Sequence, residues 1–146
     1  MKILKNKFLG MLVFLLISSI SISGQYKNQL MNRMKNMRNE VYESVDEGND
    51  FQQKEALRTM EEKWDKELNT VYQKIMQIAD TKTKNNLRNA QRAWLKSRDK
   101  KVKDSYYFEN PEGGSMGVLF SLNTNVKLLE ERTLQLAEMY DRLTGK

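Results

Sequence analysis

The chain contains no cysteine and no histidine among its 146 residues. Without cysteine there is no disulfide, no thiol nucleophile and no cysteine-based zinc site. Without histidine there is no imidazole base for a serine triad. One proline and seven glycines leave long helices almost uninterrupted. Charged residues make up 30% of the chain and are evenly mixed, which suits helices with solvated faces. These features predict an all-α protein.

The first 24 residues have the pattern of a secretory signal peptide. Three lysines precede an almost unbroken apolar run over 8–17, and small residues at 21 and 23 fit a cleavage site. We predict a signal peptide over 1–24 and one exported domain over 25–146, periplasmic or secreted. The alternative is an uncleaved anchor. The apolar run is shorter than the roughly 20 residues of a spanning helix, so no permanent membrane anchor is expected.

The formal net charge of +6 comes partly from this segment. Without its three lysines, the chain has 22 basic and 19 acidic residues, a net charge of +3. Such weak basicity gives little support for nucleic-acid binding, and no nucleic-acid partner is expected.

Apolar residues recur at spacings of three and four in four segments, which predicts helices. We place them at about 26–47, 50–79, 84–103 and 116–143, forming a small antiparallel bundle of about four helices. The short connector over 80–83 makes the second and third helices neighbours. The two longest apolar stripes are Leu57, Met60, Trp64, Leu68, Val71, Ile75 and Ile78, and Leu119, Leu122, Val126, Leu129, Thr133, Leu136, Tyr140 and Leu143.

The third helix places polar residues on its inner arc, which consists of Leu87, Gln91, Trp94 and Arg98. A charged group facing a core is costly unless it is paired, so Arg98 requires a partner on another helix. The candidates are Asp65, Glu67 and Glu130, and Asn69 and Tyr72 could close the same network. Two interpretations remain open, a buried network that sets helix register and a polar binding site that opens to a cleft.

The same helix carries a basic ridge, formed by Lys84, Arg88, Arg92, Lys96 and Lys100 at four-residue spacing. One interpretation is a solvated face, partly neutralised by Glu61, Glu62 and Asp65. The other is a docking surface for an anionic envelope polymer, a lipid headgroup or an acidic protein.

The loop before the last helix carries Tyr106, Tyr107 and Phe108, which either anchor an interface or tuck under the end of the bundle. Ser115 follows two glycines with no evident base, so we predict that it caps the last helix. Three pairs of acids are adjacent in the sequence: Asp46-Glu47, Glu61-Glu62 and Glu130-Glu131. Adjacent residues on a helix point about 100° apart, so none of these is a facing acid–base pair. We therefore predict no enzyme activity, no cofactor and no metal site, with a peptidoglycan hydrolase as a distant alternative.

Four motifs follow one another along the chain: Leu68-Asn69-x-x-Tyr72, Ala90-Gln91-Arg92-Ala93-Trp94 with Arg98-Asp99, Gly113-Gly114-Ser115 and Arg132-Thr133. Together they resemble the family named for the N-terminal domain of the lysozyme inhibitor LprI, over about 64–140. The resemblance implies a helical exported domain and, less directly, inhibition of lysozyme. Family members usually carry cysteines that tie the third helix to the last, whereas this chain has none.

We therefore predict an exported binding protein of the cell envelope, with lysozyme inhibition as the specific form and lysozyme or another envelope protein as partner. The alternative is a structural protein of envelope homeostasis that contacts anionic polymer or membrane through the basic ridge. The candidate binding residues are Asn69, Tyr72, Gln91, Arg92, Trp94, Arg98, Asp99, Tyr106, Tyr107 and Phe108.

Overall fold

The structure is a computed structural model that describes residues 24–46, 48–108 and 112–145. This part of the chain forms four helices and no strand: α1 (Gln25–Tyr42), α2 (Asp50–Ile78), α3 (Thr81–Tyr106) and α4 (Ser115–Thr144). The predicted all-α helical bundle is confirmed. The predicted signal peptide lies outside the described residues, except for Gly24.

Side-chain caps decide where two of the helices begin. The Asn49 side chain accepts a hydrogen bond from the Gln52 backbone N–H at 3.1 Å, which starts α2. Asp80 accepts from the Thr83 N–H at 2.7 Å, so α3 begins at Thr81, three residues before the predicted start. The expected four-residue connector between α2 and α3 therefore shrinks to two residues.

The centre of the fold is the pair formed by α2 and α4, which run parallel. Asp50 accepts a hydrogen bond from Ser115 at 2.7 Å where both helices begin, and further along Glu61 accepts one from Asn125 at 2.8 Å. The α2 stripe is buried as predicted from Leu57 to Ile75. Ile78 is 49% exposed instead, because the helix ends there and Ala79 takes the buried position.

The other two helices flank this pair and run antiparallel to α4. α1 packs on both α4 and α2, and buries Leu30 and Met34. α3 packs chiefly on α4 and buries only Leu87. The expectation that α2 and α3 are close neighbours is therefore wrong. α3 is an outer helix with most of its surface in water. None of the described helices is long and apolar enough to cross a membrane.

Candidate functional site

The inner arc of α3 meets α4 in the predicted register. Leu87 is buried, whereas Gln91, Trp94 and Arg98 are only partly buried. The arc thus passes from the core at Leu87 to the margin of the interface at Arg98. Polar residues on this arc keep contact with water and avoid the full cost of burial.

Arg132 of α4 joins this arc. Its Nε donates a hydrogen bond to the Gln91 side-chain oxygen at 3.0 Å, and its Nη1 donates to that of Gln135 at 3.3 Å. Its guanidinium carbon lies 6.0 Å from the centre of the Trp94 ring. Burial lowers the pKa of the Arg132 guanidinium, which stays charged at neutral pH. Two family motifs, Gln91–Trp94 and Arg132–Thr133, are therefore in direct contact.

Arg98 differs from the prediction. It pairs with its chain neighbour Asp99, with the closer nitrogen–oxygen distance 2.7 Å, and its guanidinium lies 5.3 Å from the Trp94 ring centre. The expected partners bind elsewhere: Glu67 to Arg33, Glu130 to Arg38 and Asp65 to Asn69. The physical reason is the position of α3. An arginine at the margin of the bundle needs no buried acid, because water solvates part of it.

Asn69 and Tyr72 do not extend this cluster. The Asn69 side-chain amide donates to the backbone oxygen and the carboxylate of Asp65, one turn back on α2. Tyr72 packs against the hydrophobic core. Neither residue shares a hydrogen bond with Gln91 or Arg98 in the part of the chain that the structure describes. Both residues belong to α2, and α3 packs chiefly on α4.

The basic ridge of α3 faces outward. Nine of the 26 residues of α3 are lysine or arginine and two are acidic. Only Arg98 and Lys100 form ion pairs within the described chain, both with acids of α3 itself. The expected neutralisation by acids of α2 is wrong, since Glu61 binds Asn125 and Asp65 binds Asn69. Arg92 and six other cations therefore form no ion pair with the described residues.

Tyr106 tucks under the end of the bundle, as one of the two interpretations predicted. Its hydroxyl accepts a hydrogen bond from the Gly114 N–H at 3.2 Å. Gly113 has a φ of +74°, and a side chain there would overlap the Tyr106 ring. Gly117 packs on the Tyr106 backbone oxygen, again with no room for a methyl group. This contact joins the end of α3 to the start of α4.

Tyr107 and Phe108, by contrast, are 47% and 77% exposed. Phe108 meets Phe120 of α4 edge to face, with ring centres 6.5 Å apart. Two further exposed apolar residues stand at the same end, where α2 and α4 begin: Phe51 at 71% and Met116 at 51%. We call the set Phe51, Tyr107, Phe108 and Met116 the aromatic end. Phe51 and Met116 were not predicted from the sequence as site residues, although both lie in the first turn of a helix and off its apolar stripe.

Ser115 is not the cap of α4, because the cap position belongs to Gly114. Its hydroxyl donates to the Asp50 carboxylate and contacts the Lys54 ammonium. Lys54 also pairs with Asp50 at 3.0 Å. Hydrogen bonds from Ser115 and Lys54 hold the pKa of the Asp50 carboxyl below its usual range. These contacts join the start of α2 to the start of α4.

The described residues hold no group of three acids that could bind a metal ion. The sequence model of a protein family described as lysozyme inhibitor LprI matches residues 43–136 of the chain. The chain belongs to this family. The match begins just after α1 ends and covers α2, α3 and most of α4. No curated protein and no solved structure matches the chain.

Proposed function

We propose that this LprI-family protein is an exported inhibitor of lysozyme that binds the enzyme through its aromatic end. The observation that supports this most directly is the exposure of Tyr107 and Phe108 on a support that Tyr106 and two glycines hold in place. Exposed aromatic residues on a rigid base are the usual anchors of protein interfaces. Membership of a family described as lysozyme inhibitor LprI supports lysozyme as the partner.

The charge distribution fits this choice of surface. A lysozyme with a basic surface would be repelled by the ridge on α3, whose cations outnumber its acids. Beside its apolar residues the aromatic end carries the exposed carboxylate of Asp46 and that of Asp50, which is paired with Lys54. Docking through this end would therefore turn the ridge away from a basic enzyme.

The test is lysis of a peptidoglycan suspension by lysozymes of several types, with and without purified residues 25–146. The proposal expects protection that increases with dose for at least one lysozyme type. If no lysozyme is slowed at any dose, the proposal is wrong. If the protein alone clears the suspension, it is a hydrolase.

The contact surface is tested separately with a double variant, Tyr107→Ala with Phe108→Ala. Both side chains are exposed, so stability should change little, whereas protection should fall by at least tenfold. The matched control is Ile78→Ala with Leu143→Ala, which removes two exposed apolar residues at the opposite end of the bundle. Equal protection by both variants would contradict a contact through the aromatic end.

Export is part of the proposal, with the protein periplasmic or secreted and its signal peptide removed. Cell fractionation and mass spectrometry of the exported protein test it. The expected mature chain begins at Gly24 or Gln25. Full-length protein retained in the cytoplasm would contradict export.

One observation favours a second candidate function, a structural role on an anionic envelope polymer. Seven cations of α3 have no ion pair with the described residues, which leaves them available to such a polymer. Binding of this kind should weaken steeply as salt rises and should fall in an Arg92→Gln, Lys96→Gln variant. Binding that ignores both salt and this variant would exclude the ridge as the contact.

A further inference from the structure

A groove of about 480 Å³ runs between the first half of α3 and the second half of α4. Its lining combines apolar residues with hydrogen-bonding groups. Leu87, Leu136 and Met139 supply apolar surface, and Thr83 and Asn86 supply a hydroxyl and an amide. Two arginines line the groove: Arg142, which pairs with Glu138, and Arg132. The groove lies on a different part of the molecule from the aromatic end.

Arg132 is held at this groove by uncharged partners. Its Nε and Nη1 donate to the side-chain oxygens of Gln91 and Gln135. Its Nη2 has no partner among the residues that the structure describes, and no described carboxylate pairs with this guanidinium. The two glutamines therefore orient the group and leave its charge uncompensated.

A partly buried arginine without an acid is a costly arrangement in a folded protein. Burial lowers the pKa of Arg132, the direction expected for a guanidinium that is partly removed from water. A guanidinium offers five N–H donors in a planar fork, a geometry that matches a carboxylate. The surrounding α3 cations add a positive field that favours an anion here.

We propose that the groove binds a small carboxylate, the C-terminus of a peptide or acyl amino acid, through Arg132. The carboxylate would take the Nη2 side of the fork. Thr83 and Asn86 would bond to the peptide group behind it, and Leu87 and Met139 would cover a short apolar side chain. An envelope peptide ending in a D-residue and a protein C-terminus ending in an L-residue share this chemistry.

The test is an NMR titration of ¹⁵N-labelled residues 25–146 with N-acetyl-D-alanyl-D-alanine and with its L,L form. The amide of each peptide, which lacks the negative charge, is the ligand control. Shifts should appear at the Arg132 Nε–H, the Gln135 amide and the Trp94 indole for at least one acid. The stereoisomer that binds more tightly identifies the source of the ligand.

Arg132→Gln should weaken binding of the acid by about tenfold or more, the loss expected when a charge-assisted hydrogen bond is removed. Arg132→Lys keeps the charge without the fork, and should bind at an intermediate level even if the glutamine variant folds poorly. Lys101→Gln is the matched control, because it removes one exposed cation of α3 outside the groove and should bind as the parent does.

The proposal is overturned if the acids and their amides bind equally, if neither acid binds, or if the shifts map away from the groove. It is also overturned if Lys101→Gln weakens binding as much as Arg132→Gln, which would indicate attraction to the general charge of α3. None of these outcomes depends on lysozyme, so the groove and the inhibitor proposal stand or fall separately.

Discussion

The two flanking helices, α1 and α3, use their charges in opposite ways. Three of the four cations of α1 form ion pairs that cross to another helix: Lys27 with Glu138, Arg33 with Glu67 and Arg38 with Glu130. No cation of α3 pairs with an acid of another described helix, and its two ion pairs are internal. The lysines and arginines of α1 therefore attach this helix to the bundle, whereas those of α3 face outward.

The contrast indicates which surface is available for a partner. The charges of α1 are already satisfied by the fold, and its first turn is capped by Asp141, which accepts from the Tyr26 and Lys27 N–H groups at 2.8 and 3.0 Å. α1 and Asp141 both lie outside the family match, whereas α3 lies within it. α3 instead attaches to α4 through its own Leu87 and Tyr106 and through Arg132 of α4. Most cations of α3 form no ion pair with the described residues.

Gly117→Ala should have the largest effect, because it breaks the attachment of α3. Glycine to alanine inside a helix normally stabilises by about 1 kcal/mol. Here the new methyl group would overlap the Tyr106 backbone oxygen, so we expect a loss of about 3 kcal/mol in the free energy of unfolding. Urea denaturation measures it. Gly48→Ala, whose methyl group meets only ordinary contacts, should change stability little, and an equal loss there would contradict the explanation.

Asp141→Ala should break the attachment of α1 with the next largest effect. The carboxylate is 2% exposed, and its removal leaves two N–H groups of α1 without an acceptor. We expect a loss of about 1.5 kcal/mol, with faster amide exchange concentrated in α1. Asp99→Ala removes an exposed acid of α3 and is the control. Uniform exchange throughout the bundle would show that Asp141 does not act on α1 in particular.

Neutralising two cations on α1 should cost more stability than neutralising two cations on α3. Arg33→Gln with Arg38→Gln removes two cross-helix ion pairs, so we expect a loss of about 0.5–1 kcal/mol. Arg92→Gln with Lys96→Gln removes two cations that form no ion pair with the described residues. The free energy of unfolding of this variant should stay within about 0.5 kcal/mol of that of the parent. Thermal unfolding at low salt compares the pairs. A larger loss from the α3 variant would reverse the comparison.

Acid should weaken α1 in a way that depends on Glu138. The hydrogen bond and charge of Lys27, with the charge of Arg142, hold the pKa of the Glu138 carboxyl below its usual range. The stabilisation is therefore complete above the usual glutamate pKa and is lost as pH falls through the lower, folded value. Amide exchange of α1 between neutral and acid pH measures it. Glu138→Gln should reduce this pH dependence slightly, and Glu62→Gln on the outer face of α2 should not.

Periodicity was enough to predict the helices and most of the core. Leu57 to Ile75 and Val126 to Leu136 are stripes that only a helix can bury on one side. Helix ends were less predictable, because Asp80 extends α3 through a single capping bond. The partner of Arg98 could not be derived, since it depends on which helix α3 packs against. Tertiary packing decides which helix α3 packs against, and no local sequence pattern predicts it.

The candidate site was only partly predictable from the sequence, because it too depends on tertiary packing. Gln91 and Trp94 were placed on the correct arc, but Arg132 was known only as a motif residue, and its contact with them requires the α3–α4 packing. Tyr106 and Phe108 looked equivalent in the sequence. The structure separates them, because the glycines at 113 and 117 make room for only one of the rings.

The most direct test of the inhibitor proposal is calorimetric titration of residues 25–146 into purified lysozymes of several types, at about 0.05 and 0.5 M salt. The proposal predicts binding to at least one lysozyme that tolerates salt, disappears in Tyr107→Ala with Phe108→Ala, and persists in Arg92→Gln with Lys96→Gln. Absence of binding to every lysozyme would contradict it. So would binding that salt and the Arg92, Lys96 variant abolish while the aromatic variant leaves it intact.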